Sequence, residues 1–394
     1  MDVAAPSLRT VSGRGAGAAL SDRLPRRWLL PLLAFAATWV LIVATWLIAD
    51  RIYHTHLTWA DFVWRGDAGI YTQIAERGYG PPKLLVPHYG PTTTFVGTGR
   101  SAFFPLLPAL IRLVSYATLG NFSAADLVAQ VLAGAASALA VWALAARVRD
   151  RRTADRAVLL YCAFPGAMAF STVYPEPLAI ALAAACLLAL LGRKWLLAGV
   201  LAGLASAADP TMIVLTAVLG IAALHAIWTR HEWRSLAAPV LAPLGMLGYF
   251  AYYGYRYHDY LFWFRIMRAG WNQHIDLGAT EFHVLTWSDP YVASYPFWNV
   301  LLIVLFWAGV AGIALMIAAR VPLPITGYTV LVFVACVMSS GAISRPRFVL
   351  TAFGIFIGAG AKLPRWVFWP VLIASAGLLA ATIGWLPNTI PLTT

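Results

Sequence analysis

Charge is what this sequence lacks most. Only 11% of its 394 residues are Asp, Glu, Lys or Arg, and 61% are hydrophobic, whereas soluble domains carry about 25% charged residues. Mean hydropathy is +0.74. A soluble globular domain is excluded. Cysteine is scarce too: Cys162, Cys186 and Cys336 all lie inside apolar segments, so neither a disulfide framework nor a zinc site is expected. There is no Asp-x-Asp pair, no glycine-rich phosphate loop, no zinc-ligand spacing and no internal repeat, and no polar stretch is long enough for a nucleotide-sugar domain. An enzyme built this way would take its activated donor from the lipid phase and is expected to need no metal or other cofactor. The net charge of +12 would suggest nucleic acid in a soluble chain. Here it has a topological use, and no nucleic-acid partner is expected.

What the sequence has in quantity is apolar runs of 18 residues or more, enough to cross a hydrocarbon core about 30 Å thick. Basic clusters orient them. The tail before Trp28, the loop Arg147–Arg156, Arg193–Lys194, Arg230–Arg234 and Lys362–Arg365 read as cytoplasmic. Helices fitted between them give an all-α integral membrane protein of about eleven spans: 28–49, 122–146, 157–173, 177–192, 195–208, 210–228, 235–255, 297–319, 324–340, 347–361 and 366–386. Residues 1–27 are expected to be a disordered basic cytoplasmic tail and the first helix to be uncleaved. Residues 28–386 form the membrane domain, with outer loops at about 50–121 and 256–296, and 387–394 are a short outer tail. Ser101–Leu119 is apolar but holds Pro105, Pro108 and Arg112. Spanning would invert the Arg147–Arg156 cluster, so an interfacial helix is expected there. Tyr89–Gly99 reads as a functional loop.

The outer loops collect the unusual residues: Asp61, Asp67, Glu76, His88 and Arg100 in the first, Arg256, His258, Asp259, Arg265, Arg268, His274, Asp276 and Asp289 in the second. Cations on the side that should be poor in them point to an anionic ligand. Four segments carry the chemistry. In Gly66–Tyr79, Ile70, Ile74 and Ala75 fall on one face of a short helix suited to the membrane surface, with Asp67 at its start either as an N-cap or as a base. In Ser171–Pro177, Glu176 between two prolines is either a rigidly held functional carboxylate or a solvated turn. The run Tyr252–Arg268 mixes aromatics with Arg256, Arg265 and Arg268, as a phosphate-and-sugar site or an interfacial belt would. Ser344-Arg345-Pro346-Arg347-Phe348 is a compact phosphate clamp or a headgroup-contacting loop.

These segments resemble, in order, the motifs of the GT-C membrane glycosyltransferases, and within them the PIG-V-like mannosyltransferases. The matching residues are Asp67, Tyr71, Ile74-Ala75 and Gly78-Tyr79; then Phe103-Phe104-Pro105-Leu106-Leu107-Pro108; then Ser171, Tyr174, Glu176 and Leu178; then, loosely, Phe262 and Trp271; and finally Ser344, Pro346, Arg347 and Phe348. Two departures stand out. Trp64 is separated from Asp67 by Arg65-Gly66, and Asp209-Pro210-Thr211-Met212 stands where the family often has Arg-Pro-Thr-Gly.

The resemblance implies a GT-C-like bundle. It implies inverting transfer of a sugar, mannose by the family's habit, from a polyprenyl-phosphate donor to a lipid or glycolipid hydroxyl outside the cytoplasm. Asp67 would be the catalytic base, with Asp61 its rival. Glu176, Tyr174, Tyr71 and His88 would bind substrate, and Arg345, Arg347, Arg265 and Arg268 would hold the phosphate. The competing class is a multi-span transporter or lipid-linked-sugar flippase. Such proteins gather ionisable residues at the bilayer midplane in repeated halves, which this sequence does not show.

Overall fold

The computed structural model describes residues 28–54, 58, 67–80, 99–289 and 292–389. The basic tail, Asp61, Trp64, His88 and the last five residues lie outside the described residues. The described residues are mainly helical, and the β pairing among them is one isolated bridge between Ile275 and Ser339. In chain order the helices are α1 (Leu29–Tyr53), α2 (Ala68–Arg77), α3 (Leu106–Ala117), α4 (Phe122–Val148), α5 (Arg151–Ala163), α6 (Glu176–Leu191), α7 (Trp195–Ala208), α8 (Val214–Arg230), α9 (Ala237–Leu241), α10 (Leu244–Tyr257), α11 (Phe262–Trp271), α12 (Ala279–Leu285), α13 (Pro296–Ala318), α14 (Leu323–Val337), α15 (Arg345–Thr351), α16 (Gly354–Lys362) and α17 (Arg365–Thr389).

Among the described residues, five helical stretches are long and apolar enough to cross a bilayer: α1, α4, Pro210–Arg230, α13 and α17. A sixth results if the pair 233–241 and 244–256, bent by 46°, is one span. The other five expected spans are shorter or broken. Residues 157–173 divide between α5 and a 3-10 turn, Pro165–Phe170. α6 has 16 residues, α7 has 14 and α14 has 15. Residues 347–361 divide between α15 and α16. Among the described residues, six stretches at most thus have the length of a full span, against about eleven expected spans. Prolines and short loops end these segments, as at Pro165 after α5 and Pro210 after α7. α3 has only 12 residues, about 18 Å at 1.5 Å per residue, and cannot cross.

Small residues let the central helices approach closely. α4 buries Ala125, Ala129, Ala133, Gly134, Ser137, Ala138 and Ala145 against α1, α3, α5 and α6. A Cβ at Gly134 would stand 2.5 Å from the Phe35 ring. α6 and α7 pack together and bury Ala179, Ala183, Ala198 and Ala202, while a Cβ at Gly199 would stand 2.9 Å from the Ala237 carbonyl oxygen at the start of α9. Where lipid supplies no hydrophobic drive between helices, such packing supplies the attraction.

The break after α5 shows how the bundle tolerates irregular backbone. Pro165 cannot continue the helix, and the freed carbonyls must be satisfied internally. Thr38 Oγ1 donates to the Cys162 carbonyl (2.8 Å), Ser375 Oγ to that of Ala163 (3.1 Å) and Gln130 Nε2 to that of Ala169 (2.5 Å). This clamped turn packs against α15 and leads into Tyr174 and Glu176.

α2 differs from expectation. Its buried face is Ala68, Tyr71, Ile74 and Ala75, packed on α3 and α4, so protein covers the face expected to rest on lipid. Arg112 Nη1 donates to the carbonyls of Ala75 and Glu76, closing the C-terminal end of α2 with a cation as the helix dipole favours.

Gln130→Leu keeps side-chain volume but orphans the Ala169 carbonyl. It is expected to destabilise the purified protein by about 1–3 kcal/mol, read as a lower thermal midpoint in detergent. An unchanged midpoint would contradict the clamped-turn account.

Candidate active site

Asp67 is the N-cap residue of α2, yet its side chain makes no cap hydrogen bond. Its carboxylate is turned inward instead. Oδ1 accepts from Trp271 Nε1 at 3.2 Å, and Oδ2 lies 3.8 Å from Arg347 Nη2. The simple-cap reading of Asp67 is thereby set aside. Arg347 also reaches Glu176, with Nη1 3.3 Å from Oε1, and donates to Ser344 Oγ at 3.0 Å. Its guanidinium lies 4.0 Å over the Tyr174 ring and 5.2 Å from that of Phe348, a cation–π seat that holds its plane. Tyr71 is buried one turn along α2, edge-on to Phe103 and close enough to feel the charges of Glu176, Arg347 and Asp67. Glu176 is not a solvated turn residue. Its side chain is 1% exposed, and Oε2 has no hydrogen-bond partner.

Five separate stretches thus meet: the start of α2, the end of α11, the turn into α6, α15 and the Asp209 corner. Asp209 is buried and caps the 3-10 turn Pro210–Ile213, accepting from Thr211 N (2.7 Å) and Thr211 Oγ1 (2.6 Å). Glu176 and Arg347 both lie within reach of its charge. The Asp-Pro-Thr departure therefore borders the site with an anion. Burial raises the pKa of Asp67 above the ordinary aspartate value, while the Arg347 charge and the Trp271 N–H hold it back. Among the described residues, no three His, Cys, Asp or Glu side chains converge as metal ligands.

The other expected residues divide. Arg345 does not join Arg347, because its guanidinium is ion-paired with buried Glu281. Arg265 is paired with Asp259 and is 69% exposed. Arg265 and Arg268 line an open cavity of about 560 Å³ with His258, Asp259, Tyr260, Leu261 and Phe264, apart from the Asp67 contacts. The hydrogen-bonding role of Trp271 went unread in the sequence. Gly99 packs against it, where a Cβ would stand 2.7 Å from the Trp271 ring.

No protein-family profile matches the sequence, and no curated protein does. Solved structures do. The chain superposes on ArnT from Cupriavidus metallidurans bound to undecaprenyl phosphate with a TM-score of 0.51 and 18% identity, covering 87% of this chain and 63% of ArnT. For apo ArnT the TM-score is 0.50, with 18% identity over 86% of this chain and 62% of that one. The oligosaccharyltransferase AglB from Archaeoglobus fulgidus, in complex with an inhibitory peptide and a dolichol-phosphate, gives 0.48 at 15% identity, covering 90% of this chain and 58% of AglB. The chain spans about 63% of the length of ArnT. It shares the fold of ArnT.

Trp271→Phe removes the N–H that favours the ionised Asp67. Its titration, followed as carbodiimide modification against pH with mass-spectrometric readout, is expected to move upward. No movement would mean that the indole does not bond the carboxylate in solution.

Proposed function

We propose that this chain is an inverting glycosyltransferase moving a sugar, mannose in the PIG-V-like reading, from a polyprenyl-phosphate donor to a lipid or glycolipid hydroxyl. The observation that carries the reading is the Asp67–Arg347–Glu176 cluster: an ionisable base and a cation 3.8 Å apart, nearly enclosed, built from the ordered motif segments. The undecaprenyl phosphate in ArnT supports a polyprenyl-phosphate carrier here.

The parts fit one step. Asp67 takes the proton of the acceptor hydroxyl as that oxygen attacks the anomeric carbon, and its raised pKa makes it the stronger base. The bond from the anomeric carbon to the phosphate oxygen breaks on the opposite face, its electron pair leaves with the phosphate, and configuration inverts. Arg347 stabilises the charge growing on that phosphate in a site where little water screens it. Glu176 Oε2, buried and without a donor, accepts from a sugar hydroxyl. Tyr174 and Tyr71 wall the site.

Extracytoplasmic action is part of the proposal. Thr72 on α2 donates to Asp126 on the second turn of α4 at 2.7 Å, whereas Arg147 lies on the last turn of the same helix. The separation along the axis is about 30 Å at 1.5 Å per residue, so the site and the main basic cluster sit at opposite ends of a span.

Purified protein incubated with a panel of polyprenyl-phosphate sugars and membrane lipid is expected to yield a glycosylated lipid by mass spectrometry. Asp67→Asn should cut turnover by about 10²–10⁴-fold in a folded protein. In the wild type, turnover should fall as pH drops through a midpoint above the ordinary aspartate value, since the base must be ionised. No product from any donor, or an active Asp67→Asn, would overturn the reading. With the native cysteines removed, Tyr260→Cys should label with an impermeant maleimide on intact cells and Arg149→Cys only after permeabilisation; the reverse pattern would invert the topology.

A further inference from the structure

Among the buried ionisable groups, Glu281 and Arg345 form a pair that the proposed reaction leaves unused. Their side chains are 5% and 4% exposed, and the pair joins α12 in the second outer loop to the first residue of α15. Glu281 Oε1 and Arg345 Nε find no hydrogen-bond partner. A buried pair left partly unsatisfied is a poor source of stability compared with apolar side chains, and the best-attested use of such pairs is to fix one arrangement among several.

The arrangement fixed here concerns Arg347. Residues i and i+2 of a helix point to nearly opposite sides, so Arg345 faces the loop while Arg347 faces Asp67 and Glu176. α15 has only seven residues and is separated from α16 by a break, so no long helix sets its rotation. One side is pinned where a Cβ at Gly166 would stand 2.0 Å from the Pro346 carbonyl oxygen. The other is pinned by Arg345, which also donates from Nη2 to the Ser339 carbonyl at 3.1 Å. Ser339 is the residue bridged to Ile275. Around it, Asp276 N donates to the Met338 carbonyl (3.0 Å) and Ser340 N to that of His274 (3.1 Å). This laced loop begins directly after Trp271, the donor to Asp67. One loop therefore holds the indole that contacts the base and the carboxylate that anchors the helix bearing the cation.

We propose that Glu281, acting through Arg345, is a positioning residue: the buried pair latches the second outer loop to α15 and so aims both Arg347 and Trp271 at Asp67. Only the rate readout rests on the glycosyltransferase reading. The groups facing Asp67 are Arg347 from α15, Trp271 from α11, Tyr174 and Glu176 from the turn into α6, and Tyr71 from α2 itself. Arg347 and Trp271 favour the ionised carboxylate, so releasing the latch moves the Asp67 titration upward.

Glu281→Gln keeps size and removes the charge. It should lower kcat by about 10- to 100-fold, the scale of a small misplacement of a reacting group, with KM for the polyprenyl-phosphate sugar within about threefold. Carbodiimide modification of Asp67 should reach its midpoint at higher pH than in the wild type. Exchanging the partners, Glu281→Arg with Arg345→Glu, should restore both readouts. If Glu281→Gln does not fold, Arg345→Lys, which keeps the charge but loses the forked geometry, should show the same two changes. Unchanged kcat and Asp67 titration in a folded single variant, or a folded charge exchange as impaired as the single variant, overturns the proposal. Wild-type protein with no transferase activity overturns the glycosyltransferase reading instead, and the Asp67 titration then decides the latch alone.

Discussion

A guanidinium shut inside a membrane protein is the constraint around which this structure is arranged. Arg347 is 14% exposed, and a charge removed from water to that extent needs anions and polar partners at close range. Asp67, Glu176, Ser344 Oγ and the Tyr174 ring supply them. They come from three stretches of chain, so satisfying one side chain requires the turn into α6, α15 and the head of α2 to assemble together. The requirement is reciprocal. Without Arg347, two carboxylates would stand buried with no cation, and the site would have to admit water or protons.

The short and broken helices follow from the same economy of polar groups. A helix interrupted in lipid exposes carbonyls, and after α5 the side chains of Thr38, Gln130 and Ser375 reach the freed oxygens, while Tyr328 Oη reaches the Thr351 carbonyl at the end of α15.

Much of this was legible in the sequence because it is local or compositional. Apolar runs give the helices, often within one or two residues, as at α4, α7 and α13. The ordered motifs name Asp67, Tyr174, Glu176 and Arg347, which do converge. What was not legible depends on tertiary geometry. Arg345 and Arg347 look like equal halves of one clamp in sequence, yet a two-residue spacing on a helix sends them to opposite sides, and Arg345 is taken by Glu281. Hydropathy cannot tell an apolar face that meets lipid from one that meets protein, so α2 was placed on the membrane surface when Tyr71, Ile74 and Ala75 pack on α3 and α4. Helix length does not follow from apolar composition alone: α6 and α7 are apolar yet have 16 and 14 residues.

The charge inventory of the site bears on how the proposed reaction could be ordered. Asp67, Glu176 and Asp209 surround one buried cation, Arg347. A donor phosphate brings more negative charge, and Arg347 is the group in place to meet it. When its guanidinium turns toward the phosphate, its attraction for Asp67 weakens, and that attraction is what holds the Asp67 pKa down against burial. In the proposed reaction, binding of the donor therefore strengthens the base. Asp67 is quenched by Arg347 while the site is empty and gains proton affinity as the leaving group is seated. The same cation that stabilises the departing phosphate so times the removal of the acceptor's proton, and a site with a second arginine beside Arg347 would separate those two roles.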